Sequence, residues 1–360
     1  MIRLLVIDDS ALMRKLLGQI FSAEGDFEIE FAHDGEEALE IISQFRPNVV
    51  TLDIHMPRMD GLTCLDRIML EHPCPVVMVS SLTEEGADET LAALEIGAVD
   101  FIAKPGGAIS LGIEELTPRL IEKVRMAAAV KIRRSRRLAE RVRLTAAPPQ
   151  QRHSTRVRDN SLANLNRGSG RPGLVLIGTS TGGPPALDTV LAHLPANFHW
   201  PVVVAQHMPG SFTGPLARRL NTICPLEVVE VTGQTRLQPG NVYIAKGDAD
   251  IIISSRAGSL VAMAAPIDPN SRWHPSVDRM VRSAMKHLPA ADLIGVLMTG
   301  MGNDGAAAMA DLEAAGGRTI AESEETAVVW GMPGELVRLN GASAIRRVDE
   351  IGPWLAGLVC

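Results

Sequence analysis

The sequence predicts an α/β protein of two doubly wound domains, each a largely parallel sheet covered by helices. Short apolar runs that end in carboxylates, hydroxyls or glycine-rich turns recur along both halves, and most are followed by helical patterns. A basic segment between about Met126 and Arg171 divides the chain. Length and composition agree with this: 360 residues suggest two domains, and 46% hydrophobic content suffices for two buried cores. Aromatics make up only 3%, so the cores must be aliphatic, which suits parallel sheets rich in Val, Ile and Leu.

In the first half, the run Arg3 to Ile7 stops at Asp8-Asp9, and Val49 to Leu52 stops at Asp53. A fourth strand, Val76 to Val79, ends in Ser80-Ser81, and a fifth, Val99 to Ala103, ends in Lys104-Pro105. The carboxyl ends of strands in an open α/β sheet form the crevice where ligands bind, so the three carboxylates can converge there. Such a cluster offers the oxygens that Mg2+ prefers, and the lysine can neutralise an oxygen of an acyl phosphate. Taken singly, each acidic pair also fits a solvated loop or a helix N-terminal charge.

As an ordered set these residues resemble the receiver domain of two-component response regulators, across residues 1 to about 125. The matching motifs are Asp8-Asp9-Ser10, Asp53 with Met56-Pro57-Arg58-Met59-Asp60-Gly61, Ser80, and Lys104-Pro105. The resemblance implies a flavodoxin-like five-stranded sheet. It also implies that Asp53 is the phosphoacceptor, that Asp8, Asp9 and Asp53 hold Mg2+, and that Ser80 and Lys104 bind the phosphoryl group. Phe101 matches the aromatic switch position of that family; a half-buried core aromatic is the competing reading.

Residues 130–171 hold twelve Lys and Arg against Glu140 and Asp159, a net +10 in a chain that totals −7, so the remainder carries −17. No aromatic interleaves these arginines and no reading-helix pattern follows, so a solvated linker, partly a flexible tether, is expected rather than a nucleic-acid element. Cys64, Cys74, Cys224 and Cys360 show no paired metal spacing, and buried thiols in a reducing cytoplasm are expected. The N-terminus opens into a strand, not a leader, and no apolar run is long enough for a bilayer. The expectation is a soluble cytoplasmic monomer without membrane insertion.

The second half, from about 173, repeats the strand-then-helix rhythm without a detectable sequence repeat. Strand signals lie near 174–178, 201–206, 226–231, 242–245, 250–254, 259–264, 293–298 and 318–321, with a hairpin turning near Ala257-Gly258. Leu174 to Ile177 runs into Gly178-Thr179-Ser180-Thr181-Gly182-Gly183, and Pro184 opens a helical stretch. A hydroxyl on such a turn stands clear of the sheet, while the glycines admit a substrate to the backbone. The literal G-x-S-x-G suggests a hydrolase elbow. A dinucleotide loop would need G-x-G-x-x-G, and Ser180 stands at the second glycine. The next strand ends in Gln206-His207-Met208-Pro209, one βα unit away, which places a candidate general base. Leu293 to Met298 runs into Thr299-Gly300-Met301-Gly302-Asn303-Asp304-Gly305, a glycine-rich turn carrying a carboxylate. The order Ser180, His207, Asp304 differs from the Ser, Asp, His order of α/β-hydrolases, which disfavours that family.

With these residues in view, the second half resembles the catalytic domain of the chemotaxis protein-glutamate methylesterases. The matching stretches are Gly178 to Gly183, Gln206 to Pro209 with Phe212-Thr213, Leu237 to Gly240, Pro275 to Asp278, Thr299 to Gly305, and Gly331-Met332-Pro333. The resemblance implies a larger Rossmann-like catalytic domain with Ser180 as nucleophile, His207 as base, Asp304 orienting it, and the Met301 backbone N–H as oxyanion donor. It further implies chemoreceptors as substrates, a chemotaxis histidine kinase as phosphodonor, deamidation of receptor glutamines beside ester hydrolysis, Mg2+ for phosphorylation, and no cofactor for the esterase step. The expected layout is a receiver at 1–125, a basic linker at 126–172 and a catalytic domain at 173–360. Lys246 stands where that family commonly has proline, and His274 where arginine is common. The rival readings are a non-catalytic, phosphorylation-dependent receptor-binding module and a nucleic-acid-binding response regulator.

Overall fold

The computed structural model describes residues 1–81, 83–104, 109–130 and 173–359. Most of the expected basic linker, from 131 to 172, lies outside the described residues, as do the proline after Lys104 and Cys360.

In the first half, strands β1 (Ile2–Ile7), β2 (Phe27–Ala32), β3 (Val49–Asp53), β4 (Val76–Ser80) and β5 (Asp100–Ala103) form a parallel sheet ordered β2-β1-β3-β4-β5. Helices α1 (Ala11–Ala23), α2 (Gly35–Phe45), α3 (Gly61–Glu71), α4 (Glu84–Ile96) and α5 (Ile109–Ala129) connect and cover it. Every residue of β3 and β4 is buried, as expected for strands covered on both faces. The edge strand β2 carries exposed Glu28 and Glu30. That alternation leaves no continuous apolar run in the sequence to mark it. Side-chain caps start the helices: Ser10, Asp34 and Asp60 each accept backbone N–H groups from the first turn. Helix α5 runs to Ala129, past residue 125.

The second half is built on a seven-stranded parallel sheet containing β6 (Leu174–Thr179), β7 (Val202–Gln206), β8 (Glu227–Val231), β10 (Asn241–Ala245), β13 (Leu293–Leu297), β14 (Arg318–Glu322) and β15 (Ala344–Arg346). Its order is β15-β14-β13-β6-β7-β10-β8. The expected hairpin is β11 (Asp250–Arg256) and β12 (Ser259–Ala265), antiparallel and turning at Ala257-Gly258. It stands outside the main sheet and is joined by the short β9 (Thr235–Arg236). The helices are α6 (Gly183–Ala192), α7 (Gly210–Ile223), α8 (Val277–Met285), α9 (Ala306–Ala314), α10 (Met332–Arg338) and α11 (Val348–Val359).

Each sheet has a switch point from which the connections run in opposite directions: between β1 and β3 in the first, and between β6 and β13 in the second. Ligand crevices open at such switch points, outside the carboxyl ends of the strands. The halves also touch. Helix α4 packs on α6 and α7, and the Phe101 ring lies 4.4 Å from that of Phe212. Arg219 pairs with Glu95, and Arg272 with Glu122.

Candidate active site and phosphoryl-acceptor site

Ser180 leaves β6 on a turn whose shape depends on two glycines. Gly182 has φ 76°, and a Cβ on Gly183 would lie 2.0 Å from Gln206 Oε1. Ser180 N–H donates to Thr299 O at 3.0 Å, and Gln206 Nε2 donates to Ser180 O at 3.0 Å. His207 follows β7, and because Thr179 and Gln206 are paired in register, Ser180 and His207 leave adjacent strands side by side. The hydrogen bond from His207 N–H to Thr179 O, 3.0 Å, fixes that exit.

His207 Nε2 lies 2.9 Å from Asp304 Oδ2. Asp304 also accepts from Ser276 Oγ at 3.1 Å and from the N–H groups of Val277 at 2.7 Å and Asp278 at 3.0 Å, the first turn of α8. Burial pushes its carboxyl pKa up, but the hydrogen bond and charge of His207 and the two backbone donors outweigh it, so the pKa falls below the usual range. An ionised Asp304 keeps the imidazole proton on Nε2 and leaves the Nδ1 lone pair free. Nδ1 is buried and has no hydrogen-bond partner among the described residues, so the serine hydroxyl and the imidazole lie in one crevice without being bonded.

Three other residues shape this centre without announcing themselves in the sequence. Trp273 stacks on the His207 ring, centroids 5.6 Å apart and planes 8° apart. Glu322, fully buried at the end of β14, accepts Thr299 N–H at 2.8 Å and Thr326 Oγ1 at 2.9 Å, and burial pushes its carboxyl up to about 7. Asp250 accepts from His274 Nδ1 at 2.9 Å, Ser276 N–H at 2.8 Å and Arg279 at 2.7 Å. Burial opposes its charge, but these donors outweigh it and lower its pKa. His274 is thereby tied to Asp250 and not to Asp304.

Met301 is buried between Gly300, where a Cβ would come within 2.8 Å of Ser180 Cβ, and Gly302, which abuts the Trp273 indole. Its N–H has no acceptor among the described residues. Lys246 borders an open groove of about 610 Å³ lined also by Ser211 and Asp248, next to the His207 turn.

At the other switch point, Asp8, Asp9 and Asp53 bring carboxylate oxygens within 4.8 Å of one another. Lys104 Nζ lies 2.7 Å from Asp53 Oδ2 and 3.3 Å from Asp8 Oδ2. Burial, then the charge of Asp53, raises the Asp8 pKa against the opposing effect of Lys104. Burial works against the Lys104 charge, but the hydrogen bond and charge of Asp53 prevail and raise its pKa. Asp8 Oδ2 is buried with the Lys104 ammonium, at 3.3 Å, as its charge partner, and one ammonium leaves the cluster of three carboxylates with excess negative charge that a divalent cation would neutralise. Ser80 follows the residue paired with Asp53 across β3 and β4, and its Oγ donates to Gly86 O at 3.1 Å. Phe101, 5% exposed, faces the second half of the chain.

The contact between the halves reaches the serine turn itself. Thr181 Oγ1 donates to Asp100 Oδ2 at 2.5 Å, and Asp100 Oδ1 accepts from Lys123 at 2.9 Å and Phe101 N–H at 2.7 Å. A residue of the first sheet is therefore hydrogen-bonded to the neighbour of Ser180.

Residues 175–355 match the family described as CheB methylesterase, and residues 4–112 match the response regulator receiver domain. The chain belongs to the CheB methylesterase family. It is 56% identical over 98% of its length to a protein-glutamate methylesterase/protein-glutamine glutaminase of Rhodopseudomonas palustris, covering 96% of that protein. It is 52% identical over 99% of its length to another of that description from Rhodospirillum rubrum, covering 97% of it. The crystal structure of the Thermotoga maritima CheB methylesterase catalytic domain matches 52% of this chain and 100% of its own, at 36% identity and a TM-score of 0.51. CheB membership thus joins a receiver and a catalytic unit on one chain, as the paired motifs imply.

Proposed function

We propose that this chain is a phosphorylation-activated serine hydrolase that removes methyl groups from γ-glutamyl methyl esters of chemoreceptors and deamidates receptor glutamines. The observation that carries this is the buried His207–Asp304 pair beside Ser180, which leaves Nδ1 as a free base at the sheet's switch point. In the reaction, His207 Nδ1 takes the Ser180 proton, the alkoxide attacks the acyl carbon, and the Met301 N–H stabilises the oxyanion. His207 then returns its proton to the departing methanol, or to ammonia for a glutamine, and water hydrolyses the acyl-enzyme by the same route. No metal enters this step.

The receiver, residues 1–125, takes a phosphoryl group on Asp53 from a chemotaxis histidine kinase. Asp8, Asp9 and Asp53 would hold Mg2+, which neutralises phosphoryl oxygens when bound. Lys104 and Ser80 bind the same group, the latter after releasing Gly86 O. The basic stretch 126–172, of which 126–129 end α5, separates the receiver in sequence from the catalytic domain, 173–360. Among the described residues no helix is long and apolar enough to cross a membrane, which fits a cytoplasmic enzyme acting on the cytoplasmic part of its receptors. The contacts of Asp100 with Thr181 and of Phe101 with Phe212 support a closed resting state in which the receiver covers the serine turn. The test is methanol release from methylated receptor membranes with and without a small-molecule phosphodonor. The reading requires release that rises with phosphodonor and disappears in Ser180→Ala.

A further inference from the structure

We propose that Arg272 recognises a carboxylate flanking the target side chain of the substrate, and that Glu122 of the receiver occupies this anion position in the resting chain. The inference rests on the esterase reading above. Trp273 touches both groups that matter: its indole stacks on the His207 imidazole, and the Arg272 guanidinium lies 4.8 Å from the indole centroid. A cation is thus held against the same ring that stacks on the catalytic base. Nothing in the ester hydrolysis uses it.

Its partner is what identifies the ligand. Among the described residues the ion-pair partner of Arg272 is Glu122, on α5 of the other half. The acidic residues of the second half around this segment are committed elsewhere. Asp268 accepts the Asn270 N–H, Asp250 holds His274, Ser276 and Arg279, and Asp304 holds His207 and the start of α8. When the receiver moves away, the guanidinium stays on the indole and loses its carboxylate. An arginine fork matches a carboxylate in geometry as well as charge, so an acidic side chain beside the scissile group fills the place that Glu122 leaves. A neutral ester offers no charge of its own, and the flanking carboxylate supplies the handle.

The test uses the full chain with phosphodonor and two methyl-ester peptides that differ only in a flanking glutamate or alanine. The wild-type chain should favour the acidic peptide about two- to fivefold at low salt, through KM and not kcat, since Arg272 and its ligand are exposed. Added salt should erase that preference. Arg272→Gln should bring the ratio of kcat/KM between the peptides close to one, Arg272→Glu should invert it, and Arg272→Lys should restore part of it. Without phosphodonor, Glu122→Gln should raise turnover of the acidic peptide more than that of the neutral one. Equal KM for both peptides in the wild-type chain, or a preference that survives Arg272→Glu, overturns the inference while leaving the esterase reading standing. If neither peptide is turned over, the esterase reading falls and the inference with it.

Discussion

Asp304 is both the partner of His207 and the N-terminal anchor of α8, and this doubles the consequence of changing it. In Asp304→Asn, one of the two oxygens becomes an NH2 group. If the remaining oxygen faces His207 Nε2 and Val277 N–H, the NH2 meets the Asp278 N–H, donor against donor. Methanol release should fall on the order of 10⁴-fold, as in other serine triads that lose this charge, and a urea melt should show a destabilised chain. Ser180→Ala should bring release to background while radiolabelled phosphodonor still modifies Asp53, because the proposed nucleophile and acceptor stand on different sheets. Glu322 yields a prediction of a different kind. Its folded pKa, about 7, is raised above the ordinary 4.5, so the folded chain binds the extra proton and stability falls as pH rises from about 4.5 through 7. Glu322→Gln keeps an acceptor for the Thr299 N–H and removes the buried charge. It should therefore be more stable than wild type at pH 8, by about 3 kcal/mol at most, and nearly equal to it at pH 5, as read by urea midpoints at the two pH values.

At the scale of elements, what the sequence revealed depended on how local the signal was. The apolar runs of β1, β3, β4, β6, β7 and β13 are buried on both faces and read directly, and their terminal Asp53, Ser180, His207 and Thr299-to-Asp304 turns came with them. Strands β2, β9 and β15 were not legible, being alternating or only a few residues long. The same division holds in the site. Ser180, His207 and Asp304 sit at strand ends, whereas the choice of His207 nitrogen, the Trp273 stack and the Glu322 support arise from pairings across long sequence separations. The role of β5 was legible only by half: a switch aromatic at Phe101 could be expected, but not its burial against Phe212 of α7. That contact gives a prediction. Phe101→Ala removes one ring of a buried aromatic pair at the junction and should raise methanol release without phosphodonor several-fold. A loss of receiver folding would give the same rise, so Asp53 phosphorylation must be shown intact in the variant.

At the scale of the whole molecule, one interface joins the halves that carry the two switch points, and any coupling through it has a ceiling. The Asp100 carboxylate spans that interface: it sits on β5, one strand from Ser80 and four residues before Lys104, and it is hydrogen-bonded to Thr181 beside Ser180. Phosphorylation can shift the closed-to-open equilibrium only by the difference in its stabilisation of the two states. If the resting chain is open a fraction f of the time, full opening can raise activity by no more than 1/f, and a hundredfold activation requires a closed state favoured by about 2.7 kcal/mol. Interface variants should therefore trade basal activity against inducibility. Phe101→Ala and deletion of residues 1 to about 140 should both start higher and gain less or nothing from phosphodonor, while approaching the same maximal rate as the phosphorylated wild-type chain. Asp53→Ala should remain low and unresponsive. The measurement is methanol release for all four chains, with and without phosphodonor, at saturating substrate. A deletion chain no more active than the resting full-length chain would rule out simple occlusion, since then the phosphorylated receiver must contribute contacts of its own to the active state. A deletion chain that matches the phosphorylated wild type would leave the receiver no role in turnover beyond uncovering Ser180.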